Sequence, residues 1–165
     1  MPRVVIVEGE SDRIALETLA KRRGRDLRAE GTEVVAIGGA HAIRRFLENH
    51  HDESTKFVGL VDSKQADVFT RLGVEVYVCE SDLEDELIRA LGLDGVEKVI
   101  EAQGELRSLR ALQRQPAQRG RTTLQHIRRF MSSKSGRKAL YARAMVEALD
   151  LDAVPQPLDR VLNHL

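Results

Sequence analysis

The chain has no tryptophan, and only 4% of its 165 residues are aromatic. Aromatic stacking on single-stranded bases is therefore not expected to dominate any nucleic-acid contact. Its one cysteine, Cys79, excludes an internal disulfide and a thiolate metal cluster. Cys79 reads as a small strand-end residue, with a reactive thiol as the minor reading. No apolar run approaches the roughly 20 residues of a membrane span. Met1-Pro2-Arg3 leads into a strand-like run with no signal-peptide core or cleavage site. A cytoplasmic protein with no membrane partner is expected. The five histidines, His41, His50, His51, His126 and His164, offer no metal pair at i, i+4 spacing and read as surface or capping residues. No internal repeat or low-complexity segment occurs.

What remains is a chain long enough for one domain, or one domain with an appendage, and able to bury a real core. Its formal net charge of zero conceals an asymmetry. Residues 1–102 hold 14 Lys/Arg against 21 Asp/Glu, and residues 103–143 hold 11 against the single acid Glu105. An acidic region beside a basic one suits a polyanionic substrate whose phosphates need both cations and a metal. Charged helix faces that are merely solvated are the plainer explanation.

Four short β-branched runs predict strands at Val4–Val7, Val34–Ile37, Phe57–Val61 and Val74–Val78. Helical spacing fills the intervals. Ile14, Leu16 and Leu19 make a first helix, capped by Ser11 or Asp12 and ended near Gly24. Others are expected at 40–50 and 66–72. Beyond residue 82 the pattern is wholly helical. One apolar stripe ends at Gly92 and a second runs through Val96 and Ile100. Further helices are expected at 106–112, 123–132 and 136–149, with a last one from Pro157, and 113–123 reads as a loop. Strand alternating with helix predicts an α/β fold: a Rossmann-like parallel sheet of four strands flanked by helices, with a C-terminal helical extension. Domain limits of 1–102 for the sheet domain and 103–165 for a basic helical cap follow.

Ligands bind such sheets outside the carboxyl ends of the strands. There the acids gather: Glu8-Gly9-Glu10-Ser11-Asp12 after strand one, Asp62 after strand three, and Asp82-Leu83-Glu84-Asp85-Glu86 after strand four. Converging carboxylates repel unless a hard cation sits among them, and oxygen ligands select Mg²⁺ or Mn²⁺ over Zn²⁺. The helix dipole alone would favour Glu10, Asp12 and some of the 82–86 acids, but it gives no account of Glu8. Lys138 opens a helix, where a cation opposes the dipole. It either meets a phosphate, stabilises charge in a phosphoryl-transfer transition state, or is simply solvated.

Together these segments resemble the Toprim domain. Val4 to Asp12 is similar to its first motif, a hydrophobic strand followed by Glu-Gly and an Asp three residues after the Gly. Gly38-Gly39 matches the turn after its second strand, and Leu60-Val61-Asp62 the start of its Asp-x-Asp motif. Asp82-Leu83-Glu84 and Lys138-Ala139-Leu140-Tyr141-Ala142 resemble the form found in OLD (overcoming lysogenization defect) nucleases. The resemblance implies a Mg²⁺- or Mn²⁺-dependent nuclease, an endonuclease hydrolysing phosphodiester bonds of DNA. Glu8 and Lys138 would be catalytic, with Glu8 as metal ligand or general base. Asp62, Asp82 and Glu84 would ligate metal, with Asp12 as a ligand or as support to one. The 103–143 segment would hold the phosphate backbone. Lys64 stands where the second Asp of Asp-x-Asp belongs, with Asp67 out of register, which bears on the metal count. The OLD proteins' ATPase motif, Gly-x-x-x-x-Gly-Lys-Ser/Thr, is absent, so a free-standing module and a separate ABC-type ATPase partner are expected. A non-catalytic metal- and DNA-binding module, or a nucleotidyl transferase of the primase kind, are the alternatives. Tyr77 and Tyr141 read as structural.

Overall fold

The computed structural model describes residues 1–50 and 52–165, with backbone alone for residues 40 and 41. His51 lies outside the described residues. Four strands, β1 (Arg3–Val7), β2 (Thr32–Ala36), β3 (Lys56–Asp62) and β4 (Glu75–Cys79), form one sheet in the order β2-β1-β3-β4. Every neighbouring pair is parallel. Parallel pairing requires crossovers, and helices α1 (Glu10–Arg22), α2 (Ala40–Asn49) and α3 (Ala66–Arg71) supply them.

Because side chains alternate along a strand, each strand feeds two cores. Val5, Val7, Val58 and Leu60 face one side. Val4, Ile6 and Val61 face the other, against Ile43 of α2 and Phe69 of α3. The first side is the larger. There α1 packs with α4 (Leu83–Ala102), α5 (Leu106–Gln113), α6 (Thr123–Ser132), α7 (Arg137–Ala148) and α8 (Gln156–His164) in one buried cluster. Helix α7 lies along α1 and touches α4, while α8 meets β3 and β4. No helix among the described residues is long and apolar enough to cross a membrane.

Local details depart from the sequence reading in two places, the start of α1 and the 113–123 loop. Helix α1 starts at Glu10, so its cap is Gly9, in ordinary extended backbone (φ −138°, ψ 172°), rather than Ser11 or Asp12. Asp12 instead reaches back from the third helical position and accepts the Gly9 N–H at 2.9 Å. The two apolar stripes on either side of Gly92 are two helical stretches of α4 that meet at a kink, where Gly92 is non-helical (φ 74°, ψ 160°), so the break falls where the pattern placed it. The 113–123 loop contains a short 3₁₀ turn at Pro116–Gln118.

Candidate metal and phosphate site

The order β2-β1-β3-β4 puts a switch point between β1 and β3, whose crossovers leave in opposite directions. Glu8 follows β1 and Asp62 ends β3, so these two acids flank that point. After β2 the chain turns through Gly38 (φ 79°) and Gly39 (φ 138°), a left-handed backbone that glycine adopts without strain. The turn is tied down by Gly38 N–H donating to the Glu8 carbonyl at 2.8 Å. After β4, Asp82 caps α4 by accepting the Asp85 N–H at 2.8 Å, and Glu84 lies in that helix's first turn.

These ends surround a cavity of about 610 Å³, lined by Glu8, Gly9, Glu10, Ser11, Asp12, Asp62, Asp82, Glu84, Gly136, Lys138 and Ala139. The structure thus brings together Glu8, Asp12, Asp62, Asp82, Glu84 and Lys138 from four separate stretches of sequence. Gly136 (φ 81°) turns the chain into α7, whose packing on α1 and α4 carries Lys138 to the acids. A larger groove of about 840 Å³ runs beside α1 and β2, but its walls mix Arg13, Lys21 and Arg28 with Glu17, Asp26 and Glu33. No set of like groups converges there.

Burial pushes the Glu8 carboxyl above its ordinary value, and the charges of Asp62, Asp12 and Asp82 push it further. Burial likewise raises Asp12, against the Gly9 N–H and Lys138, which favour its charged form. Burial raises Glu84, with Lys138 and Arg128 opposing. Burial is the largest cause of all three shifts; neighbouring acids add to it, and Lys138 offsets part of it at Asp12 and Glu84.

Each acid is held differently. Gln65 Nε2 donates to Glu8 Oε1 at 3.1 Å. Asp62 Oδ1 accepts the backbone N–H groups of Lys64 (2.9 Å) and Gln65 (3.0 Å), leaving Oδ2 without a protein donor among the described residues. Both oxygens of Asp82 are engaged, one by the Asp85 N–H and the other by Arg128 Nη2. Glu10 pairs with Arg13 across one helical turn. Glu86 accepts the Glu80 N–H at 2.9 Å and pairs with Arg89 at 3.0 Å, while Asp85 pairs with Arg89 at 3.1 Å.

Lys64 is exposed and does not line the cavity; its backbone, not its ammonium, meets Asp62. Asp67 is exposed on α3. His50 bonds the Phe46 carbonyl, His126 the Gln118 carbonyl, and His164 lies 3.3 Å from Glu75, so none of these three lines the cavity. Tyr141 is fully buried against Glu105, and Cys79 is buried with its thiol pushed up to about 12. Gln65 and Arg128 are the contributors that sequence reasoning missed. Nothing in either residue's type or spacing marks it, since both arrive through tertiary contacts.

As the side chains stand, no three His, Cys, Asp or Glu among the described residues close around a common point as a metal cage. The donor set nevertheless fits a hard divalent ion in its chemistry. It is all carboxylate oxygen, its acids raise one another's pKa, and Arg128 and Lys138 supply only part of the counter-charge.

Comparison with known proteins agrees with this architecture. Residues 2–63 match the family model of the overcoming lysogenization defect protein-like Toprim domain. Among solved structures, the chain is similar to the C-terminal region of the Burkholderia pseudomallei OLD protein, at 18% identity and a TM-score of 0.70. That match covers 98% of this chain and 95% of the other. It is also similar to the C-terminal region of the Xanthomonas campestris pv. campestris OLD protein, at 23% identity and a TM-score of 0.63. There the coverage is 98% and 93%. No curated protein matches. Residues 2–63 thus resemble the Toprim domain of OLD-like proteins, the chain as a whole shares the fold of the OLD C-terminal regions, and Toprim domains generally bind a divalent metal.

Proposed function

We propose that the protein is a Mg²⁺- or Mn²⁺-dependent nuclease that hydrolyses phosphodiester bonds of DNA. The observation that carries this reading is the single cavity shared by Glu8, Asp12, Asp62, Asp82, Glu84 and Lys138. Glu8, Asp62, Asp82 and Glu84 would hold the ion, with Asp12 supporting them. A bound divalent ion supplies Lewis acidity at a phosphoryl oxygen and lowers the pKa of a coordinated water.

The remaining work falls to the chain. Glu8 would serve as a ligand or, in place of that, as the general base that takes a proton from the attacking water. Gln65 holds one Glu8 oxygen and so restricts rotation of the carboxylate. Lys138 carries the positive charge that meets the extra negative charge of the pentacovalent transition state. Outside the cavity, the 103–143 segment offers cations for the phosphate backbone. Three of its bases are taken up by acids (Arg110 by Glu97, Arg128 by Asp82, Arg137 by Glu105). Arg107, Arg114, Arg119, Arg121 and Lys134 form no ion pair among the described residues and are exposed. An ABC-type ATPase is the proposed partner.

The test is nicking of supercoiled plasmid with Mg²⁺ or Mn²⁺. Wild type should cleave, and Glu8→Gln and Lys138→Ala should each lose about 10²-fold or more in rate. Absence of cleavage with both metals, or normal cleavage by both variants, defeats the nuclease reading. The non-catalytic alternative draws on Asp82, whose two oxygens are both engaged by the protein itself. It predicts metal and DNA binding with no nicking.

A further inference from the structure

Arg128 is the one basic side chain of α6 that turns onto the acids of α4. Its guanidinium addresses three carboxylates at once. Nη2 donates to Asp82 Oδ2, Nε lies 3.5 Å from Glu84 Oε1, and Nη1 lies 3.8 Å from Asp85 Oδ1. The side chain is 30% exposed, and those of Glu84 and Asp85 are 17% and 15% exposed. Arg89 covers the outer side of the same turn through Asp85, Glu86 and Glu80. Lys138 lines the cavity with Glu84 and Asp12, and its charge favours the ionised form of both. Arg128 is therefore the cation placed on the two α4 residues, Asp82 and Glu84, that also line the cavity.

We infer that Arg128 is a built-in counter-cation for this site, one that a divalent ion must displace from Asp82 before that carboxylate can turn inward. The inference rests on the metal site of the proposed function. Two cations that need the same oxygen bind in competition, and the coupling between them is reciprocal. A guanidinium with several N–H donors can span three carboxylates that stand too far apart to cage a metal, which is the arrangement seen. In the metal-free protein Arg128 relieves repulsion within the first turn of α4. When the ion enters, that role passes to it, and the guanidinium is freed at the cavity mouth.

The experiment is calorimetric titration of Mn²⁺ into metal-free wild type, Arg128→Gln and Arg129→Gln, with thermal melting of each before and after metal. Arg129 is exposed on the same helix and makes no ion pair among the described residues, so it controls for net charge. Removing the competing cation should tighten Mn²⁺ binding about tenfold or more in Arg128→Gln. It should also lower the metal-free melting temperature and enlarge the rise on adding Mn²⁺. Arg129→Gln should stay within about twofold of wild type. Equal or weaker binding by Arg128→Gln overturns the inference, because Arg128 would then only hold Asp82 in place. If Arg128→Gln fails to fold without metal, Arg128→Lys decides. Its single ammonium loses the three-way span, so Mn²⁺ should again bind tighter than to wild type, and no gain overturns the inference. Should wild type bind no Mn²⁺ at all, the metal-site reading falls together with this one. If wild type binds and cleaves while Arg128→Gln binds no tighter, only the counter-cation falls.

Discussion

Glu105, the single acid among eleven bases in residues 103–143, is predicted to hold the start of α7 in place. Its Oε1 accepts the Tyr141 hydroxyl at 2.9 Å, and its Oε2 accepts Arg137 Nη2 at 2.7 Å. Tyr141 is fully buried, and the Arg137 side chain is only 10% exposed. Glu105→Ala would strand a buried hydroxyl, which costs about 1–3 kcal/mol. Stranding a buried charge costs more, about 3–5 kcal/mol. Arg137, however, keeps the Phe130 carbonyl (3.2 Å), Ser133 Oγ (2.9 Å) and the Phe130 ring 4.0 Å beneath it. Glu105 itself is 23% exposed, so water can enter the space left behind. The net loss should be about 2–3 kcal/mol. For a domain of this size that is about 5–10 °C in melting temperature. Urea unfolding of Glu105→Ala, Tyr141→Phe and the double variant measures it, with the double costing about 0.5–1.5 kcal/mol less than the sum. Arg137 and the Tyr141 hydroxyl hold the Glu105 carboxyl below its ordinary value of 4.5. A depressed acid contributes its stability above the unfolded value and loses it as pH falls through the folded one. The gap between wild type and Glu105→Ala should therefore be full at pH 7 and narrow as pH falls below about 4, as the ionised part of the interaction is lost. A loss under about 0.5 kcal/mol at pH 7, or a gap that widens in acid, refutes the reasoning.

The cavity acids predict the opposite sign. Glu8 is raised above its ordinary value of 4.5, so its charge opposes folding above the folded pKa and the penalty vanishes as pH falls through it. Glu8→Gln should raise the melting temperature of the metal-free protein at pH 8, with the gain shrinking below about pH 5; no gain at pH 8 contradicts the crowding of charge. In the opposite core, a Cβ on Gly59 would meet Phe69 at 3.0 Å and Val76 at 3.3 Å. Gly59→Val should cost about 1–3 kcal/mol in thermal unfolding by overpacking, and a neutral result would mean that Phe69 can move aside.

How far the sequence disclosed this site follows from the range of the interactions involved. The strands were legible because a β-branched run buried on both faces has one local reading, as Val4–Val7 illustrates. Their parallel order then followed from the helices between them, and with it the edge where Glu8, Asp62 and Asp82 meet. Lys138 was legible in a different way, as a cation at a helix start with no local reason to be there. Arg128 carried no such anomaly. It sits mid-helix among other bases, and only the packing of α6 on α5 and α7 brings it to Asp82. Glu105 was visible as an isolated acid, but its two partners lie 32 and 36 residues away. Lys64 shows the converse. A cation inside an expected acidic motif threatens the site only if its side chain enters, and the turn that Asp62 caps sends it outward instead. Sequence position therefore identified which backbone reaches the cavity, while the direction of each long side chain was decided by contacts made elsewhere. Lys138 and Arg128 share the counter-charge of the site, and of the two only Arg128 owes its place wholly to tertiary packing.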